Sequence, residues 1–133
     1  EAVFNVARYD IDGLREALLV GDIARLSRTL TGLMHEGEPP PLVLWAMCEE
    51  IRTLMLIRSG LDRGRPLDLL LKEARVWGPR ANPVKKAVLR LSTATLEAAL
   101  HHAGKIDRLA KGIGQGNIWE EFLYLGLSLS QRK

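Results

Sequence analysis

Three glycines at alternate positions, Gly112, Gly114 and Gly116, follow Lys111 and precede a segment with a helical pattern. A glycine-rich loop beside a lysine can hold phosphate, because its backbone N–H groups approach the anion and the lysine reaches it. In a P-loop, however, the glycines follow a strand, and the lysine comes after them with a serine or threonine next to it. Here the lysine comes first and the preceding pattern is helical. The run therefore indicates a flexible interhelical loop rather than a nucleotide site.

The histidines and a pair of adjacent acids are the other candidates for chemistry. His101 and His102 are neighbours, and neighbouring side chains on a helix point about 100° apart, whereas two metal ligands on one helix are spaced i, i+4. Glu49 and Glu50 diverge in the same way, and the spacing predicts a simple ion pair between Glu49 and Arg52. We therefore predict no catalytic residue, no metal site and no cofactor for this chain.

The composition of the 133-residue chain is that of one globular domain. Hydrophobic residues make up 47% and aromatic residues only 5%, so aliphatic side chains must build the core. Abundant Leu and Ala favour helices. The single cysteine, Cys48, lies in a strongly apolar segment, which is typical of a small buried residue, and one cysteine fits a reducing compartment. No apolar run reaches about 18 residues, so we predict no membrane span and a cytoplasmic location.

The net charge of +3 is unevenly distributed. Residues 1–60 carry six basic and nine acidic side chains, whereas residues 61–133 carry thirteen and seven. The richest stretch contains eight basic residues: Arg63, Arg65, Lys72, Arg75, Arg80, Lys85, Lys86 and Arg90. Such a run predicts either a surface that lies near phosphates or, more simply, the solvated faces of ordinary helices.

The spacing of apolar residues predicts the elements that position these side chains. Residues 1–11 alternate loosely and indicate an extended segment, a linker from N-terminal domains that are missing here; the chain also lacks an initiator Met and a signal peptide. Asp12 is expected to cap the first helix. Residues 12–133 are predicted to form a single all-α domain, a bundle of about six to seven helices.

Further N-caps are expected at Asp22, Ser92 and Asn117. The predicted helix over 41–59 is apolar on nearly every side in its first half, which is typical of a helix at the centre of a bundle. The last helix also has hardly any polar face, so either the bundle or a partner chain must cover it. Four of its residues are candidates for the core or for an interface: Trp119, Phe122, Leu123 and Tyr124.

Several segments, in order, resemble the C-terminal domain of the delta subunit of bacterial DNA polymerase III, which is part of the sliding-clamp loader. The segments that carry this resemblance are 14–22, 33–47, 50–54, 74–77 with Arg80, 87–92, and a late group of Asp107, Lys111, Gly112, Gly116, Asn117 and 119–121. The family often has Asp-Pro before the late tryptophan, where this chain has Asn117-Ile118. Since Asn and Asp both cap helices, the helix start is expected to survive this departure.

The resemblance implies a helical collar domain that joins the loader subunits and performs no catalysis. The implied parent is a non-catalytic subunit of a DNA-directed DNA polymerase holoenzyme, a nucleotidyltransferase assembly. The implied partners are loader subunits of the gamma/tau and delta prime type, and the sliding clamp would be bound only by the missing N-terminal part. Four residues match the family pattern and are expected to be structural: Arg75, Trp77, Arg80 and Lys111. Trp77 is expected to pack at a turn, with the arginines bound to carbonyl or carboxylate groups.

Two functional hypotheses follow from these patterns. The first is a non-catalytic assembly domain of a clamp loader, held to its partners by apolar helix faces. The second is a small basic helical domain that binds nucleic acid through the run over 63–90. Trp77 is the one aromatic residue among those basic side chains, which weakens the case for a single-strand platform.

Overall fold

The computed structural model describes residues 2–130, with side chains described from residue 11 onward. Seven α-helices and one 3-10 turn, at Gly78–Arg80, follow one another in this part of the chain, and no strand occurs in it. The predicted all-α bundle is confirmed. The helices are α1 (Ala2–Val20), α2 (Ile23–His35), α3 (Pro40–Asp62), α4 (Leu67–Glu73), α5 (Ala81–Arg90), α6 (Thr93–Ala110) and α7 (Ile118–Ser130).

The prediction of an extended segment over 1–11 is wrong for its described part, because α1 already begins at Ala2. Asp12 consequently lies inside α1 and is not its N-cap. No proline interrupts the chain before Gly37, and the loose alternation of apolar residues near the N-terminus also fits a helix of period 3.6. Glu1 and residues 131–133, which belong to the predicted segments 1–11 and 12–133, lie outside the described residues.

The other predicted N-caps are confirmed. The Asp22 carboxylate accepts a hydrogen bond from the backbone N–H of Arg25 at 3.1 Å, and the Ser92 hydroxyl accepts one from Thr95 at 3.1 Å. Asn117 Oδ1 accepts from the backbone N–H groups of Trp119 at 2.9 Å and Glu120 at 3.2 Å. Each cap provides a partner for donors that the first turn of a helix leaves unpaired.

Helix α3 is the central element, as its apolar pattern predicts. It packs against α1, α4, α5, α6 and α7 and contributes ten buried residues. Two glycines let neighbouring helices approach closely. A Cβ atom at Gly60 of α3 would overlap the Leu70 side chain of α4, and one at Gly126 of α7 would overlap the Leu26 side chain of α2.

An arginine from α5 joins the ends of two other helices. The Arg90 guanidinium donates from Nη2 to the carbonyl oxygens of Leu19 at 3.3 Å and Leu129 at 3.1 Å. These carbonyls lie in the last turns of α1 and α7, where the helix dipole favours a positive charge. Arg90 therefore connects three helices.

Candidate functional site

A buried carboxylate lies at the centre of the most polar region of the bundle. Glu50 of α3 is fully buried, and it is the only buried charged residue among those whose side chains the structure describes. Its Oε2 accepts from Arg15 Nε at 2.6 Å and from Arg80 Nη1 at 2.9 Å, and its Oε1 accepts from Arg80 Nη2 at 3.3 Å. The two arginines come from α1 and from the 3-10 turn, so one carboxylate joins three elements. Such pairing is what makes a buried charge tolerable.

Arg15 also organises the exposed edge of this cluster. Its Nη2 donates to Glu49 Oε1 at 2.8 Å, and its guanidinium carbon lies 5.7 Å from the ring centroid of Trp45, within cation–π range. The predicted ion pair between Glu49 and Arg52 is wrong, because Glu49 pairs with Arg15 of α1 instead.

Residues 74–80, which connect α4 to α5 and include the 3-10 turn, have an unusual backbone. Arg75 has a φ of +59°, which makes it the only non-glycine residue with a positive φ in the described chain. The N–H of Arg75 donates to Lys72 O at 3.0 Å and that of Val76 to Leu71 O at 2.9 Å, the pattern of a Schellman motif in which glycine normally takes the left-handed position. Arg75 therefore holds a strained conformation that glycine would adopt freely.

Trp77 is exposed, so the expectation that it packs at a turn is wrong. Val76 is buried and Trp77 follows it in extended backbone, where successive side chains point in opposite directions. As a result, 64% of the Trp77 surface remains accessible. Arg80, three residues later, binds the Glu50 carboxylate, as expected. Arg75 does not meet the same expectation, because its side chain has no hydrogen bond or ion pair within the described part of the chain. We call residues 74–80 the Trp77 turn.

A groove of about 630 Å³ lies between α1, α3 and the Trp77 turn. Arg15 and Arg80 line it together with the acidic side chains of Asp12, Glu16 and Glu49. Both arginines are engaged with Glu50 beneath the groove, while the Glu16 and Glu49 carboxylates are about half exposed. The groove thus has an interior in which both arginines are held by ion pairs with Glu50, and a rim of solvent-exposed carboxylates.

The basic run over 63–90 divides into paired and solvated side chains. Arg65 binds Glu73 at 2.7 Å, Lys85 lies 3.8 Å from Asp68, and Arg80 binds Glu50. Four members of the run form no ion pair with any residue whose side chain is described: Arg63, Lys72, Arg75 and Lys86. Most of the run therefore serves the fold or its solvated faces, and Arg75 is an unpaired cation two residues before the exposed Trp77 in the chain.

The four candidates in the last helix occupy different environments. Phe122 is fully buried, and Trp119 lies against it with ring centroids 5.4 Å apart at an angle of 77°. Trp119 and Leu123 are half-buried and, with the exposed Met34 of α2, line an apolar groove of about 270 Å³. Tyr124 is 51% exposed. We call this surface the α2/α7 groove.

The lysine before the glycine-rich connection to α7 is paired within its own helix end. Lys111 binds Asp107 one turn earlier in α6, at 2.9 Å, and its side chain is exposed. Gly112, Gly114 and Gly116 all have positive φ, a backbone conformation that glycine adopts without steric cost. Within residues whose side chains are described, no group of three or more His, Cys, Asp or Glu side chains could hold a metal ion. None of the described helices is long and apolar enough to cross a membrane.

Sequence reasoning overlooked Glu50 as the organising residue, although the sequence contains a signal for it. Met47, Glu50, Ile51 and Leu54 follow the i, i+3, i+4, i+7 spacing of one helix face, and the other three are buried apolar residues. A lone carboxylate on such a face requires a cationic partner. The identity of that partner is not readable from spacing, because Arg15 and Arg80 lie 35 and 30 positions away.

Comparison with known proteins supports a distant relation to a replication protein. No protein-family model matches the chain. Over 122 residues, 86% of its length, the chain is 27% identical to the DNA polymerase III subunit delta of Haemophilus influenzae. The matched region covers 36% of that protein, so the chain spans about a third of the length of this relative. At the level of the family, the chain is therefore similar to the delta subunit of DNA polymerase III.

Proposed function

We propose that this chain is a non-catalytic assembly domain of a delta-type clamp-loader subunit. The observation that carries the proposal is the 27% identity to a DNA polymerase III delta subunit, which extends over 86% of the chain. The all-α bundle is compatible with a domain whose task is to hold subunits together. The partners would be clamp-loader subunits of the gamma/tau and delta prime type.

The α2/α7 groove is the surface that we assign to this contact. Trp119 and Leu123 are only half-buried although they lie next to the core, and Met34, Tyr124 and Leu127 add exposed apolar area around them. Large apolar side chains around a groove are common at the centre of stable interfaces. A helix of a partner subunit would cover this area.

Size-exclusion chromatography of this chain with the helical domains of the partner subunits tests the assembly role. At micromolar concentration we expect co-elution. Leu127→Lys, which places a charge on the exposed side of α7, should weaken association at least tenfold because an ammonium group would be buried against apolar surface.

Leu89→Lys on α5 is the matched control, because Leu89 is also an exposed leucine but lies on a different helix. It should associate like the original chain. Failure of the unmodified chain to co-elute would refute the assembly role. Normal association of Leu127→Lys, with loss in Leu89→Lys, would move the interface to α5.

A second function, contact with single-stranded nucleic acid, is favoured by one specific observation. Trp77 is exposed, and the unpaired Arg75, two residues earlier in the chain, holds a strained backbone position. A base can stack on an exposed tryptophan while an arginine binds the adjacent phosphate. Backbone strain that persists in a folded protein is frequently found at functional positions.

Binding of a fluorescent oligothymidine of twenty nucleotides tests this second function. Affinity should fall steeply as salt is raised, and Trp77→Ala should weaken binding about tenfold, since stacking of one base contributes about 1–3 kcal/mol. Arg75→Gln should reduce the slope of log affinity against log salt by about one. Unchanged binding by Trp77→Ala would exclude the turn as the contact.

A further inference from the structure

We propose that Glu50 is a positioning residue for the Trp77 turn, and that it acts through Arg80. This inference rests on the proposed nucleic-acid contact only for its functional consequence. Glu50 is fully buried in the central helix α3, so its position is set by the core. Both terminal nitrogens of Arg80 donate to it, which fixes the guanidinium in one orientation.

The turn is held at two points, with Trp77 between them. Val76 inserts into the core on one side, and Arg80 is bound by the Glu50 carboxylate on the other. The intervening backbone includes Gly78, which has a φ of +64° and allows many alternative paths. Without the bond from Arg80, the segment that carries Trp77 is held only where Val76 and Ala81 meet the core. The segment between them could swing, because glycine tolerates both signs of φ. The bond from Arg80 to Glu50 removes that freedom.

Arg15 maintains the anchor from the other side. It donates to the same Oε2 atom of Glu50 that accepts from Arg80, and it is itself bound to Glu49. Because Arg15 stays in place, the Glu50 carboxylate remains paired when the Arg80 side chain is removed. Arg80→Gln is therefore the variant that releases the turn while leaving the buried charge compensated.

Amide hydrogen exchange measures the release directly. The amides of Val76 and Ala81, which donate to the carbonyls of Leu71 and Gly78, report on residues 76–81. In Arg80→Gln we expect their exchange to accelerate at least tenfold, while the amides of α6 change less than twofold. Glu50→Gln should accelerate the same amides. Arg65→Gln is the matched control: Arg65 also makes a two-nitrogen contact with a carboxylate, that of Glu73, but this pair lies outside the turn. In Arg65→Gln, the amides over residues 76–81 should exchange at the same rate as in the unmodified chain.

Oligothymidine binding separates positioning from direct contact. Arg80→Gln should weaken binding at least fivefold with an unchanged salt slope, because a positioning residue releases no counterions when the ligand binds. Arg80→Lys should lie between Arg80→Gln and the unmodified chain, since an ammonium keeps the charge but cannot form the paired contact.

Each alternative outcome has a distinct meaning. Unchanged exchange over 76–81 in a folded Arg80→Gln would refute the positioning role. A salt slope reduced by about one in that variant would make Arg80 a phosphate contact instead and would equally refute positioning. If the unmodified chain does not bind oligothymidine, the proposed nucleic-acid function fails, and the exchange measurements still decide whether Glu50 orders the turn.

Discussion

Arg75 occupies a backbone conformation that costs stability, and removing its side chain should recover that cost. At a φ of +59° an L-residue is disfavoured by about 1–2 kcal/mol relative to glycine. We expect Arg75→Gly to stabilise the chain by about 1 kcal/mol, measured by urea unfolding, since the residue makes no ion pair among the described side chains that would be lost.

The reverse substitution, from glycine to alanine, can be made at Gly112 as a control for this prediction. It lies at the equivalent position after α6, has a φ of +84°, and its surroundings within 4 Å are open. Gly112→Ala should therefore destabilise the chain by about 1 kcal/mol for the same steric reason. A destabilised Arg75→Gly would mean that the arginine side chain stabilises the fold, which would weaken the case for a functional role.

Asp62 links α3 to α6 and should make stability depend on pH. The Thr93 hydroxyl, at 2.6 Å, and then the Arg58 guanidinium, at 2.8 Å, hydrogen-bond its carboxylate and lower the pKa of Asp62 below its usual value. The folded state therefore binds fewer protons than the unfolded state, so this contribution is complete above the unfolded pKa of about 3.9 and is lost as pH falls through the folded pKa.

Asp62→Asn tests the pH effect by urea denaturation at several pH values. Near neutral pH the unmodified chain should have the larger free energy of unfolding. Its difference from Asp62→Asn should narrow progressively below about pH 4, where the carboxylate takes up its proton. If the difference in free energy of unfolding between the two proteins stays constant down to pH 2, the charge on Asp62 does not stabilise the fold.

Whether a polar contact could be predicted from the sequence depended on how far apart its two residues lie along the chain. Local ones were predictable: the caps at Asp22, Ser92 and Asn117 follow from a residue type and its distance to the next helix start. The pairing of Glu50 with Arg15 and Arg80 was not predictable, because side chains 30 or more residues apart meet only after the helices have packed. The exposed position of Trp77 has the same origin, since it depends on Val76 reaching the core.

At the scale of the helices, Gly126 determines how closely α7 approaches α2. A Cβ atom there would overlap the end of the buried Leu26 side chain and lie 3.4 Å from its Cγ. Alanine improves helix propensity by about 1 kcal/mol, but overpacking a rigid core costs about 1–3 kcal/mol. We expect Gly126→Ala to lower the free energy of unfolding by about 1 kcal/mol.

Gly104 of α6 is the matched control, because it is also a helix-interior glycine but has no neighbouring atom within 4 Å of the added carbon. Gly104→Ala should stabilise the chain by about 0.5–1 kcal/mol through helix propensity alone. If both variants are stabilised, α2 and α7 can separate at little cost and the close crossing is not required.

Helix ends were harder to predict than helix centres. The apolar periodicity located every helix, and glycine or proline marked most of the connections. The start of α1 was wrong because nothing in the first eleven residues distinguishes a loosely alternating strand from a helix in residue type or spacing. For α7, the sequence identified an apolar helix but not which of its sides is buried. Phe122 lies in the core and Tyr124 at the surface because α2 and α6 cover only one side of the helix.

At the scale of the whole molecule, one continuous core connects both halves of the chain. Residues from all seven helices belong to a single cluster of buried apolar side chains. The acidic half, residues 1–60, contributes nearly all of the central α3, and the basic half packs around it. Ion pairs such as Glu50–Arg80 therefore cross between the halves. The bundle is therefore expected to unfold in a single cooperative transition, as small domains with one core do.

Arg90 tests this cooperativity, because its side chain joins α5 to the ends of α1 and α7. In Arg90→Met the carbonyls of Leu19 and Leu129 lose a charged donor, a contact of the kind that contributes about 1.5–3 kcal/mol. We expect the free energy of unfolding to fall by about 2 kcal/mol. Far-ultraviolet circular dichroism and tryptophan fluorescence should still show coincident transitions, because the shared core is intact.

Lys86→Met controls for the loss of a positive charge, since Lys86 lies one turn earlier on the same helix and is exposed. Its effect should stay within about 0.5 kcal/mol, as is usual for surface substitutions. Transitions that separate in Arg90→Met, with fluorescence changing before helicity, would show that α1 and α7 detach as an independent unit. In that case the cooperativity of the bundle would depend on the bridge formed by Arg90 rather than on the core that the seven helices share.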